Sequence, residues 1–228
     1  LASHNAGVTV VIVGISNQAG NTRRLFSIGE NGETIEKKAD FINAYLVEGN
    51  NTFVVNESKP INQLDFMQKG SQPTDGGNLL IQKHEISELN LNSEQFNKFI
   101  RPFHGSAEYI RGLKRYCIWI EDIELDEAIS IKAVKKRIEN VKNMRLKSSA
   151  KSTINLAFQP HRFGTIRKPV DDEPIIIVPS VSSENRPYLP VGLLPPKSIV
   201  SNLAFTMNDA PLWNMALIAS KLHLVWIA

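Results

Sequence analysis

The chain has 228 residues, 42% of them hydrophobic and 21% charged, and a formal net charge of +3. That composition excludes disordered and collagen-like classes and supplies enough apolar surface for a proper core. No apolar run approaches the roughly 18 residues that cross a bilayer, and the lone Cys117 excludes an internal disulfide and fits a reducing compartment, so a cytoplasmic protein with no membrane partner is expected.

The start at Leu1 in place of methionine reads as a piece excised from a longer chain. Residues 8–15 form a β-branched run of buried-strand length, followed by the polar run 16–22. Gly14 and Gly20 enclose five residues and no lysine follows Gly20, so the phosphate-loop pattern fails. Residues 24–28 alternate weakly, Asn31-Gly32 is a hairpin turn signal, and 34–37 continue beyond it. Residues 42–46 read equally as a short helix or a strand; a turn at 49–51 precedes a strand-like 52–55, and 58–64 is irregular. The segment 70–78 packs Gly70, Pro73, Gly76 and Gly77 around Asp75, which makes either a plain turn or a loop whose main chain a ligand approaches. Asn92 or Ser93, followed by Glu94-Gln95, starts a helix whose Phe96, Phe99 and Ile100 share one face and which Pro102 ends.

Residues 109–116 interleave Tyr109, Arg111, Lys114, Arg115 and Tyr116, a pattern that stacks and pairs with nucleic acid or, alternatively, feeds core aromatics into the strand Cys117-Ile118-Trp119-Ile120. From 126 to 147 there is no glycine or proline, and Ile131, Val134, Ile138 and Val141 recur at three and four residues, which predicts one amphipathic helix. Between 132 and 151 stand Lys132, Lys135, Lys136, Arg137, Lys142, Arg145, Lys147 and Lys151 against Glu139 alone. So dense a field suits a polyanion, and part of it also suits the helix dipole or a solvated face. Residues 154–158 read as a strand, and the loop Gln159-Pro160-His161-Arg162-Phe163-Gly164 leads to Arg167 and Lys168; Gln159, Arg162 and Arg167 are candidate base or phosphate contacts, or a solvated loop. Ile175-Ile176-Ile177-Val178 ending at Pro179 describes a short buried strand that aims the polar loop Ser182-Ser183-Glu184-Asn185-Arg186 outward, with Pro187 and Pro190 stiffening its exit. In an extended loop Glu184 and Arg186 project from one side, a carboxylate and a guanidinium suited to reading a base pair, or to satisfying each other. Residues 199–207 read as a last strand and 212–222 as a helix.

A search for catalytic chemistry fails. The five histidines lack ligand spacing, no second cysteine makes a zinc site, and Cys117 has no histidine nearby. The acidic clusters Glu121-Asp122-x-Glu124 and Asp171-Asp172-Glu173 come without the lysine or histidine a nuclease pairs with them, and read as solvated loop acids. The amino-methyltransferase motif Asn-Pro-Pro-Tyr/Phe and a glycine-rich cofactor loop are absent.

Several motifs follow one another along the chain: 70–78; Phe99-Ile100-Arg101-Pro102-Phe103-x-Gly105-Ser106; Arg115-Tyr116-Cys117-Ile118-Trp119-Ile120; Ile177-Val178-Pro179; Ser182-Ser183-Glu184; Arg186-x-Tyr188-x-Pro190; and Ser220-Lys221-Leu222-His223-Leu224-Val225-Trp226. In kind and order they resemble the target-recognition domain of MmeI-like (type IIG/IIL) restriction-modification adenine DNA methyltransferases, over nearly the whole chain. The resemblance implies sequence-specific recognition of double-stranded DNA by a non-catalytic fragment. Its parent transfers a methyl group from S-adenosylmethionine to adenine, and some parents carry a fused endonuclease. The fragment itself is expected to hold no cofactor and no metal, and its second partner is the methyltransferase domain of the same chain. Residues 1–17 look like the C-terminal edge of that domain, and 18–228 like the reader. The expected fold is α+β: two small β-rich lobes with mixed and antiparallel strands, 18–125 and 148–228, joined by the long helix 126–147. The expected DNA contacts are Arg145, Lys147, Lys151, Gln159, Arg162, Arg167, Ser182, Ser183, Glu184 and Arg186. The competing reading is a protein-interaction module whose basic helix binds an acidic partner.

Overall fold

The computed structural model describes residues 11–18, 22–51, 53, 55–57, 66–168, 173–183, 185–208 and 210–227. The backbone packs as two units, Leu1–Ser58 and Lys59–Ala228. In the first, β1 (Arg23–Ile28) pairs antiparallel with β2 (Thr34–Ala39), from Arg23 opposite Ala39 to Ile28 opposite Thr34. The turn falls where Asn31-Gly32 places it, with Gly32 at φ +81°, the left-handed conformation such a turn requires. Residues 42–46 are neither helix nor strand: the Asn43 side chain accepts from the amides of Tyr45 and Val47, and Ile42 bridges to Glu48, which closes a turn. Of the strand expected over 8–15, residues 11–15 pair with no strand among the described residues and 8–10 lie outside them; so do Thr52 and Val54 of the run 52–55, and all of 58–64.

The second unit runs in chain order β3 (Gln68–Lys69), β4 (Leu80–Gln82), α1 (Ser93–Phe99), β5 (Ile100–His104), α2 (Ser106–Arg111), β6 (Arg115–Ile118), α3 (Leu125–Ser130), α4 (Lys132–Leu146), α5 (Lys151–Asn155), β7 (Ile175–Pro179), β8 (Gly192–Leu194), β9 (Ile199–Val200), β10 (Ala204–Asn208), α6 (Trp213–Ala219) and α7 (Lys221–Ile227). The fold is α+β. One antiparallel sheet has the order β3-β10-β7-β8; the other, β4-β6-β5-β9, is antiparallel except where β5 runs parallel to β9. Each sheet therefore takes strands from both sides of 126–147. The lobes expected at 18–125 and 148–228 interleave, and the backbone divides at residue 58 instead.

The larger core gathers Leu79, Ile81, Phe99, Phe103, Ile118 and the α4 residues Val134, Ile138 and Val141. β7 is buried on both faces: Ile175 and Ile177 pack with Leu194 and Val200, while Ile176 and Val178 pack with Met207 and, from α6, Met215 and Ile218. Each such branched side chain contributes about 1.5–3 kcal/mol on burial. α1 starts at Asn92, whose side chain accepts from the Gln95 amide while the Gln95 side chain accepts from the Asn92 amide, the capping box the sequence predicts.

Four expected elements differ. The helix 126–147 is broken at Ile131, whose ψ of 108° is extended, so α3 and α4 are separate. The β-branched pair Ile129 and Ile131 around Ser130 is poor helix material, and the break still lets Ile131 pack on the core. Residues 154–158 are not a strand but the end of α5 and a 3-10 turn, Leu156–Phe158, because the segment folds back on α4, where the Leu156 carbonyl accepts from Arg145. The run 199–207 divides into β9 and β10 around the turn at 201–203, which moves the chain from one sheet to the other. The helix 212–222 is two helices, with Ser220 extended between them.

Candidate nucleic-acid interface

α4 turns Val134, Ile138, Val141 and Arg145 to the core, a four-three-four repeat that ends on a cation. Arg145 is fully buried. Its Nε donates to the Thr74 carbonyl at 2.9 Å, Nη1 to Leu156 at 2.9 Å and Gln159 at 3.0 Å, and Nη2 to Pro73 at 3.1 Å and Arg162 at 2.7 Å. All five guanidinium hydrogens are thereby used. Burial lowers its pKa, against the opposing pull of Asp75. This corrects the expectation of a DNA contact at Arg145: it holds the interior. Arg137 also points inward, donating to the Asn78 and Leu80 carbonyls and pairing with Glu85 at 2.7 Å. The exposed field consists of Lys132, Lys135, Lys136, Lys142, Lys147 and Lys151.

The loop beyond α5 is held from outside as well. Asp122 accepts from Nε2 of the buried His161 and from Nε of Arg162, each at 2.7 Å. The hydrogen bond from His161, then the Arg162 charge, keep the Asp122 carboxyl below the usual carboxylate range. Glu121 takes Lys168 at 2.9 Å and the Trp119 indole at 3.2 Å; burial pushes its pKa up, but those hydrogen bonds outweigh it and the net shift is downward. The acids read as unpartnered in the sequence are thus paired with a histidine and a lysine 39 and 47 residues away. A cleft of about 220 Å³ opens among Trp119, Glu121, His161, Arg162, Phe163 and Lys168. Trp119 and Phe163 meet edge to face at 5.4 Å.

Gln159, Lys147, Lys151 and Arg167 are exposed and Arg162 is partly so. The Arg167 backbone is fixed by the Ser71 hydroxyl, which accepts its amide at 2.9 Å. The glycine segment 70–78 serves as floor for this region: Asp75 accepts from the Leu79 and Leu80 amides, and Gln72 exchanges backbone hydrogen bonds with Thr165. Of the mixed run 109–116, Tyr109 and Tyr116 pack on apolar clusters, Arg115 pairs with Glu108, and Arg111 and Lys114 stay exposed.

The second polar segment leaves β7 at Ser180. That residue's hydroxyl donates to the Leu203 carbonyl at 2.6 Å, and its amide donates to the Ser106 hydroxyl at 3.1 Å, so the loop springs from a fixed base. Ser182, Ser183 and Arg186 are exposed; Glu184 lies outside the described residues. The Arg186 amide donates to the Ser183 carbonyl at 3.2 Å, and the expected pairing of Glu184 with Arg186 on one side lies outside the described residues.

A known family described as MmeI, target recognition domain, matches residues 48–228. The chain belongs to that family. DNA methyltransferase A of Bacillus subtilis (strain 168) is 33% identical over 226 residues, 99% of this chain and 25% of the relative. The type IIL restriction-modification enzyme MmeI, solved in complex with DNA, superposes with a TM-score of 0.81 at 31% identity, over 92% of this chain and 28% of that one. The target recognition domain thus spans about a quarter of the length of these relatives. Among its described residues no helix is long and apolar enough to cross a membrane, and no group of three or more histidine, cysteine, aspartate or glutamate side chains is placed to hold a metal ion.

Proposed function

We propose that this target recognition domain binds duplex DNA sequence-specifically, as the reading part of an S-adenosylmethionine-dependent, adenine-specific DNA methyltransferase of the restriction-modification class. The observation that carries the reading is the structural likeness, at TM-score 0.81, to an enzyme solved in complex with DNA. The exposed lysines of α4 and Lys147 and Lys151 beyond it supply phosphate contacts that hold the duplex without reading it. Gln159, Arg162 and Arg167 on one loop, and Ser182, Ser183, Glu184 and Arg186 on the other, supply contacts to base edges, with arginine suited to guanine and glutamine to adenine. The longer protein adds the methyltransferase domain, to which residues 1–17 are the edge, and the setting is the cytoplasm. S-adenosylmethionine belongs, on this reading, with the methyltransferase domain of the longer protein. The domain's task in methylation is to hold the duplex while a base is extruded elsewhere.

The test is titration of the 228-residue chain against a panel of fluorescent duplexes, with Arg186→Ala beside it. The expected result is binding whose affinity falls steeply with salt, and loss of discrimination at one base position in the variant, by roughly 1–3 kcal/mol. Binding to an acidic protein with no affinity for DNA would instead favour an interaction module.

A further inference from the structure

The loop 156–162 and the turn at 73–74 have no sequence continuity, yet one side chain joins them. Three of the five carbonyl groups on Arg145 belong to Leu156, Gln159 and Arg162, and two to Pro73 and Thr74. We infer that Arg145 is the positioning residue of the DNA-contacting loop: it fixes where Gln159 and Arg162 stand while touching no DNA itself. This rests on the reading of that loop as a DNA contact.

The geometry makes the assignment specific. With the Gln159 and Arg162 carbonyl groups drawn onto one planar guanidinium, their peptide planes are fixed; Gln159 is left in solvent and Arg162 half-exposed. The floor under the joint is itself tied down, since Asp75 holds the Leu79 and Leu80 amides and Gly164 donates to the Pro73 carbonyl at 3.1 Å. From the surface, Asp122 grips His161 and the Nε of Arg162, and among the described residues the two terminal nitrogens of Arg162 make no hydrogen bond. Among the described residues the side chain is therefore held at its Nε alone. On the apolar stripe of α4 a cation at position 145 carries a desolvation cost, which its five carbonyl acceptors and the nearby Asp75 charge offset. Lysine cannot substitute, because a single ammonium with three donors does not fan across five carbonyl groups in a plane. Holding the loop before DNA arrives removes an ordering cost from binding, which is what a contact loop gains from such a joint.

The experiment uses Arg145→Lys and, as a second route to the same loop, Asp122→Ala, compared with the pair Gln159→Ala/Arg162→Ala. Hydrogen exchange follows the amides of 156–164, circular dichroism and urea unfolding report the fold, and titration with a mixed-sequence duplex reports affinity and its salt slope. The expected result for Arg145→Lys is native circular dichroism, faster exchange confined to 156–164, and an affinity loss on the order of tenfold that adds nothing when combined with Gln159→Ala/Arg162→Ala. If Arg145→Lys does not fold, Asp122→Ala carries the same two readouts. Unchanged affinity in the loosened variant, alongside weakened binding by Gln159→Ala/Arg162→Ala, overturns the positioning role. Unchanged binding by Gln159→Ala/Arg162→Ala overturns the assignment of the loop as a DNA contact.

Discussion

Nε2 of His161 donates to Oδ1 of Asp122 at 2.7 Å across 39 residues of chain. The same oxygen takes Nε of Arg162, so one exposed carboxylate clamps two consecutive residues of the loop. The His161 hydrogen bond first, and Arg162 after it, lower the Asp122 pKa in the folded state. A carboxyl with a depressed folded pKa contributes stability fully above its unfolded value, about 3.9, and loses it as pH falls through the lower folded value. Asp122→Asn is expected to be less stable than the natural chain at about pH 7, with the gap closing toward about pH 2. Thermal unfolding of both across that range checks this; a gap that persists in acid assigns the clamp to packing instead of charge.

The lysines beyond α4 act as point charges. Lys147 and Lys151 are exposed, whereas Arg145 is not. Lys147→Ala/Lys151→Ala is expected to weaken binding to every duplex alike and to flatten the dependence of log affinity on log salt by about 0.9 for each phosphate that is no longer neutralised. Anisotropy titrations at several salt concentrations measure the slope, and sequence discrimination should be unmoved.

Gly70 and Gly77 differ in kind. A Cβ on Gly70 would collide with the Val200 carbonyl oxygen, and the Gly70 amide already donates to Ala204, so neither backbone has room to give. Gly77 faces open space but has φ +81°. Gly70→Ala is expected to cost about 3 kcal/mol, the upper end for overpacking, and Gly77→Ala about 1 kcal/mol through backbone strain. Urea midpoints separate the two.

Cys117 sits in β6 with no exposed surface, and burial pushes its thiol pKa upward. A thiol kept protonated and enclosed does not attack. Ellman's reagent at mildly alkaline pH is expected to leave the folded chain unmodified and to react at the rate of opening. Prompt stoichiometric reaction would mean that the strand β6 is not enclosed as described.

Features that depend on neighbours a few residues apart are legible in the amino-acid order. The Asn31-Gly32 turn, the Asn92–Gln95 capping box and the branched run of β7 are local, and each stands where its residues put it. The motifs between Gly70 and Trp226 were enough to name the family, because they preserve kind and order without any knowledge of packing. Arg145 was half legible. It continues the Val134, Ile138, Val141 stripe at the next helical step, but a cation on that stripe is credited to the surface by charge alone. It takes the folded chain to bring Pro73, Thr74, Leu156, Gln159 and Arg162 around it, and that set of acceptors is what makes burial tolerable. The same holds for Asp122 with His161, for β5 beside β9, and for the helical turns over 154–158, where the order of residues suggests a strand. Local preferences differ by less than about 1 kcal/mol per residue. A buried hydrogen bond or a filled core position outweighs them, and its partner lies far away in the chain.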